Sequence, residues 1–100
     1  MDYFCNRHGS LFCEEVDVNR IVKEVGTPAY IYSARTITEH YRKLDKAFSK
    51  LPHLICYSAK ANSNIAILKL LVNEGAGIDI VSGGELEAAL RAGVEPSKIV

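Results

Sequence analysis

Past residue 16 the apolar positions recur at helical spacing: Val18, Ile21, Val22 and Val25 share one face. Asp17 stands where an N-cap is needed, Val16 and Ile21 occupy the two positions of a hydrophobic staple, and Gly26 takes the terminating role. Before this helix, residues 1–14 read as short extended pieces around a turn at Asn6-Arg7-His8-Gly9, in the manner of a hairpin. After it Thr27-Pro28 breaks the chain, and Ala29-Tyr30-Ile31-Tyr32 has strand composition. Ser33 can cap a second helix with the apolar stripe Ile37, Tyr41, Leu44, Phe48 and Leu51. Arg35, Glu39, Arg42, Lys43 and Lys46 lie on its solvated face, and Pro52 stops it.

From there the rhythm alternates. Residues 54–59 form an apolar run bounded by turn residues, and residues 65–74 are helical, with Ile65, Leu68, Leu71 and Val72 on one face. Residues 78–81 make a short strand. Ser82 and Glu85 form a capping box opening a helix that turns Leu86, Ala89 and Leu90 inward and stops at Gly93; Lys98-Ile99-Val100 begins a third strand. Strands and helices alternating in this way predict an α/β fold of βαβ units with parallel strands. Parallel strands are covered on both faces, which three strands do not achieve, and a closed (β/α)8 barrel takes ~250 residues. The chain is therefore expected to be a fragment, the start of a TIM-like barrel.

Composition narrows the class. Of 100 residues, 48% are hydrophobic and 24% charged, with 12 basic and 12 acidic side chains. A chain without positive excess is not expected to bind nucleic acid or an anionic membrane surface. No run of ~18 apolar residues predicts a membrane span, and the first residues lack the pattern of a signal peptide. Cys5, Cys13 and Cys56 are odd in number and lack metal-ligand spacing. Cys5 and Cys13 could in principle pair, but reduced thiols in a cytoplasmic protein are the simpler expectation, with Cys56 a small core residue. His8, His40 and His53 are scattered, so no metal site is expected.

The chemistry concentrates in Tyr57-Ser58-Ala59-Lys60-Ala61-Asn62, which puts a lysine at the carboxyl end of a buried parallel strand. By strand parity Lys60 belongs with Ser58, Cys56 and Leu54. If that set faces a barrel interior, desolvation lowers the lysine pKa, and a neutral amine can form a Schiff base with an aldehyde. The plain alternative is a lysine reaching water from a strand end. Asp79, inside an apolar run, is costly there unless paired or hydrogen-bonded; an outward turn to a helix N-terminus or to water is the plain reading. Glu85 is explained by capping alone. Gly83-Gly84 read as tight strand-to-helix geometry rather than a phosphate loop, and Asn62, Ser63 and Asn64 as caps for the next helix.

Taken together, Tyr57-Ser58-Ala59-Lys60-Ala61-Asn62 and Gly77-Ile78-Asp79-Ile80-Val81-Ser82-Gly83-Gly84-Glu85-Leu86 resemble consecutive signatures of the diaminopimelate decarboxylases, alanine-racemase-like (fold-type III) pyridoxal-phosphate enzymes. Gly26-Thr27-Pro28-Ala29-Tyr30-Ile31-Tyr32-Ser33 resembles the same family's opening segment. The resemblance implies pyridoxal 5'-phosphate as cofactor, Lys60 as its catalytic, Schiff-base lysine, and Asp79 and Glu85 close to it, with Asp79 and Lys60 expected to pair. It implies residues 1–32 in a second β-domain, residues 33–100 as the first, incomplete units of the barrel, and a homodimer acting on a small amino acid. The implied reaction is decarboxylation of meso-diaminopimelate to L-lysine, the last step of lysine biosynthesis. The family's phosphate-binding glycines, pyridine-nitrogen acid, ring-stacking histidine and cross-dimer cysteine are not in these residues, so the chain alone is expected to be inactive. An ornithine- or arginine-type decarboxylase would share Lys60 and Asp79 but differ between Ser82 and Leu86. A non-catalytic pyridoxal-phosphate carrier would keep Lys60, and a structural α/β domain would hold it incidentally.

Overall fold

The computed structural model describes residues 2–100; Met1, with which the expected extended stretch begins, lies outside them. The fold is α/β, and the chain divides into two compact units, one running to Glu39 and the other from His40 to Val100. Among the described residues no helix is long and apolar enough to cross a membrane.

In the first unit β1 (Phe4–Arg7) and β2 (Ser10–Cys13) form the expected hairpin, and β3 (Val16–Asp17) pairs antiparallel with β2. His8 and Gly9 make a two-residue turn with φ of 50° and 82°, and left-handed values at both positions match the right-handed twist of the strands. Residues directly opposite in such a ladder share a face. Cys5 faces Phe12 and Cys13 faces Phe4, so the two thiols lie on opposite faces and no disulfide joins them. α1 (Val18–Val25) starts as its sequence predicts: the Asp17 carboxylate accepts from the Asn19 N–H, and Gly26, with φ of 80°, returns its own N–H to the Val22 carbonyl. Residues 29–32 are a correction. They form no strand, and Tyr30 is 93% exposed: strand composition gives a strand only where the segment pairs with an edge, and these four residues pair with none.

The start of α2 (Ala34–Ala47) is held by a residue that the sequence did not single out. Glu14 Oε1 accepts from the Ser33 hydroxyl and the Arg35 N–H, both at 2.8 Å, while Ser33 Oγ accepts from the Thr36 N–H at 3.0 Å. Ser33 is buried, so it caps α2 with its own donor already satisfied. The Arg35 N–H, with the Ser33 hydroxyl behind it, holds the Glu14 carboxyl below the ordinary carboxylate range.

In the second unit β4 (Cys56–Ser58) and β5 (Gly77–Asp79) pair in parallel, with α3 (Ile65–Asn73) between them and α4 (Gly83–Arg91) after β5. Ile99 bridges Ile78 in parallel, the Val100 N–H reaching the Ile78 carbonyl at 3.1 Å and the Ile80 N–H the Val100 carbonyl at 2.9 Å. The expected third strand is thus one bridge, preceded by a 3₁₀ turn at Pro96–Lys98. The other two strands are also shorter than the apolar runs that predict them, and Val81 lies beyond β5, 71% exposed.

Leu68 and Ile78 are fully buried among Ala59, Ala89, Ala92 and Val94, with Tyr57, Val72 and Ile80 packed around them. Burial of two such side chains contributes ~1.5–3 kcal/mol each. The small residues let helix and strand approach closely, which corrects the expectation for α4: Ala89 is buried and Ala88 packs partly against the core, while Leu86 and Leu90 are exposed. Gly77 is required by space. A Cβ there would lie 2.5 Å from the Lys98 carbonyl oxygen and 2.7 Å from Cys56 Sγ.

α2 ends at Ala47, before Pro52, and Leu44, Phe48 and Leu51 of its stripe are exposed. Two polar clamps fix this end. Arg42 Nε and Nη2 grip the Glu74 carboxylate at 2.6 and 2.7 Å. His53 stands 2.8 Å from the Leu51 carbonyl oxygen through Nδ1 and 2.8 Å from an Asp45 carboxylate oxygen through Nε2. Both partners are acceptors, so the ring satisfies both only as an imidazolium.

Candidate active site

The alternation of β4 and β5 sorts their side chains. Tyr57 and Ile78 are opposite in register and pack into the helix-side core. Cys56 is opposite Gly77 and Ser58 opposite Asp79, and these four lie on the other face of the pair. The even-numbered set of β4 therefore does face away from the helices. Its carboxyl end carries a half-buried serine hydroxyl beside a half-buried carboxylate.

Lys60 comes immediately afterwards, in a single 3₁₀ turn over Ala59–Ala61 rather than on the strand, so strand parity no longer governs where it points. The turn is held from both ends. Ala59 is fully buried in the core, and the Tyr57 hydroxyl donates to the Asn62 carbonyl at 3.2 Å. Lys60 itself is exposed, and the described residues do not wall it in as the expected low-dielectric cavity requires. Sequence reasoning misses the Tyr57 brace; its signal is a tyrosine five residues ahead of an asparagine across the lysine. Asn62 and Asn64 do cap the start of α3, accepting from the Asn64 and Ala66 N–H groups at 2.9 Å each.

Asp79 ends β5, and no hydrogen bond or ion pair engages its carboxylate among the described residues. The expected Lys60–Asp79 ion pair is therefore not formed. Asp79 ends β5 and Lys60 lies in the turn after β4, each without a partner among the described residues. Glu85 caps as predicted on one side, its N–H donating to Ser82 Oγ at 3.2 Å. On the other side it departs from the capping box: Glu85 Oε2 accepts from the Val81 N–H at 2.8 Å, one residue earlier than the N-cap.

Residues 34–100 match the family described as pyridoxal-dependent decarboxylase, pyridoxal binding domain. The chain belongs to that family. The diaminopimelate decarboxylase of Vibrio cholerae is 48% identical to it over 101 residues, which take in 100% of this chain and 24% of that protein. The diaminopimelate decarboxylase of Pseudomonas aeruginosa is 48% identical over 100 residues, again 100% of this chain and 24% of the relative. The crystal structure of diaminopimelate decarboxylase from M. jannaschii in co-complex with L-lysine superposes with a TM-score of 0.91 at 34% identity, covering 98% of this chain and 24% of that one. The chain thus spans about a quarter of the length of the proteins it matches.

For a pyridoxal binding domain, the residues present fit the cofactor at its reactive end. Lys60 presents an exposed amine, the group an aldehyde would need, and Asp79 a carboxylate without a partner among the described residues, at the end of β5. At the start of α4, Gly83 and Gly84 stand over open space, with nothing within 4 Å of where a Cβ would be.

Proposed function

We propose that the protein carrying this chain is a diaminopimelate decarboxylase, a carboxy-lyase that releases carbon dioxide from meso-diaminopimelate and leaves L-lysine, the last step of lysine biosynthesis. One observation carries the reading: two curated diaminopimelate decarboxylases are each 48% identical to the whole of the chain. Pyridoxal phosphate, when bound, supplies a ring that accepts the electron pair freed as the α-carboxylate departs. Lys60 Nζ is the amine that would hold the cofactor through its aldehyde, and the same group would be placed to carry a proton at the reacting carbon. Asp79 supplies negative charge beside Lys60, and Glu85 stands at the rim of the site.

The same reading makes residues 33–100 the first units of a (β/α)8 barrel and residues 1–32 part of a second β-domain. The partly open face carrying Ser58 and Asp79 supports it, since parallel strands are covered on both faces. A cytoplasmic homodimer completes the proposal, in keeping with three free thiols and with the family resemblance.

The test uses the whole protein with pyridoxal phosphate, offering meso-diaminopimelate, ornithine and arginine in turn. L-lysine and carbon dioxide should come from meso-diaminopimelate alone and be lost in Lys60→Ala. Cofactor fixed to Lys60 by borohydride, with no substrate decarboxylated, would instead establish a non-catalytic carrier.

A further inference from the structure

Only Ile80 and Val81 separate Asp79 from Ser82, the N-cap of α4, so whatever fixes these two residues fixes the direction in which β5 presents Asp79. Their backbone donors are held from two sides. The Ile80 N–H goes to the Val100 carbonyl at 2.9 Å, and the Val81 N–H goes to Glu85 Oε2 at 2.8 Å. Glu85 is in turn anchored through its own N–H on Ser82 Oγ at 3.2 Å. A capping box would send this carboxylate to the N-cap N–H, which lies within the helix start; here it reaches the residue before, which belongs to the loop. Val81 is 71% exposed, so its side chain contributes little packing to hold that loop. The carboxylate is the one side-chain group that bonds the loop backbone between Asp79 and Ser82 among the described residues.

We infer that Glu85 is a positioning residue: it clamps the β5–α4 loop through the Val81 N–H and so aims Asp79 at the cofactor site, rather than contacting the cofactor with its charge. The inference rests on the proposed function for the site at which Asp79 points, but the clamp itself is independent of any ligand. The role requires an acceptor oxygen on a side chain of this length. It does not require a negative charge.

That distinction defines the experiment, made on the whole protein. Amide hydrogen exchange at Val81 is measured without cofactor in the parent, Glu85→Gln and Glu85→Ala, and borohydride capture of pyridoxal phosphate on Lys60 is measured in the same three. Removing this hydrogen bond should speed Val81 exchange about three- to tenfold in Glu85→Ala. Glu85→Gln, which keeps a carbonyl oxygen in place, should retain most of the protection and capture cofactor like the parent, while Glu85→Ala captures it poorly. Unchanged Val81 exchange in Glu85→Ala overturns the clamp. Glu85→Gln that protects Val81 yet captures cofactor as poorly as Glu85→Ala assigns Glu85 a charge role and overturns the inference. A parent that captures no cofactor at all, with Val81 protection behaving as stated, refutes the reading of the site and with it the purpose given to the clamp.

Discussion

Gly77→Ala tests the packing that brings Cys56, Gly77 and Lys98 together beneath the site. The added Cβ meets the Lys98 carbonyl oxygen at 2.5 Å and Cys56 Sγ at 2.7 Å, distances that real Cβ atoms essentially never show. The backbone neighbour does not yield easily. The oxygen is backbone, and Gly77 is itself tied to the residue before β4 through its N–H on the Ile55 carbonyl at 2.9 Å. Overpacking of this kind costs ~1–3 kcal/mol, and contact on two sides puts it at the upper end. Set against it, alanine loses less chain entropy on folding, an offset of ~0.4–1 kcal/mol. The net loss should be about 2 kcal/mol, roughly a thirtyfold shift toward the unfolded form. Urea unfolding of the whole protein reads it, with Gly84→Ala as the control. Nothing lies within 4 Å of a Cβ at Gly84, and helix propensity there favours alanine by up to ~1 kcal/mol. Adding Cys56→Ala to Gly77→Ala removes the sulfur contact and leaves the backbone one, so it should restore part of the loss. An unchanged midpoint for Gly77→Ala, or full restoration by Cys56→Ala, would refute the reasoning.

The same contacts set four further outcomes. Leu68→Ala, at a fully buried position, should cost ~2–5 kcal/mol by urea unfolding. Asp17→Ala should cost ~1 kcal/mol through loss of the α1 cap, and Asp17→Asn should recover most of it in thermal melts. The Glu14 carboxyl is held low by the Arg35 N–H and the Ser33 hydroxyl, so its stabilisation is complete above the ordinary carboxylate pKa. That contribution disappears as pH falls through the depressed value; Glu14→Gln should flatten this acid limb of a melting-temperature profile. His53 is shifted the other way, raised first by the Leu51 carbonyl and then by Asp45. Its contribution is complete below the ordinary histidine value and lost as pH rises through the raised one; ring proton titration by NMR should show the elevation, and Asp45→Asn should reduce it.

Much of this was legible in the residues. Asp17, Gly26, Ser33, Asn64 and Ser82 mark element ends because capping is local chemistry, complete within four residues of sequence, and each acts where expected. The alternating face of β4 was equally readable, since a period of two survives any context. What failed was non-local. Residues 29–32 have the composition of a strand but no partner in their unit, and composition cannot report a partner. Leu86 and Leu90 were assigned inward by helical spacing, but the tight fit of Ala89 against Ala59 and Ile78 leaves no room for larger side chains on that side. Glu14 binding the start of α2 and Glu85 reaching Val81 depend on folded distance, not on motif. For the candidate site, the sequence indicated Lys60 and Asp79 as neighbours; the Tyr57 brace and the open, unpaired state of both groups came only from the fold.

The sorting of β4 and β5 into two faces has a consequence for how this segment tolerates change. Tyr57 and Ile78 answer to the helices behind them, whereas Ser58 and Asp79, each one position further along, answer to whatever lies in front. A library varied at Ser58 and Asp79 alone should therefore sample new chemistry on an unaltered scaffold. The same library moved back by one residue should yield mostly unfolded protein. Along this stretch, stability and reactivity are written in alternate letters, and each can be revised without rewriting the other.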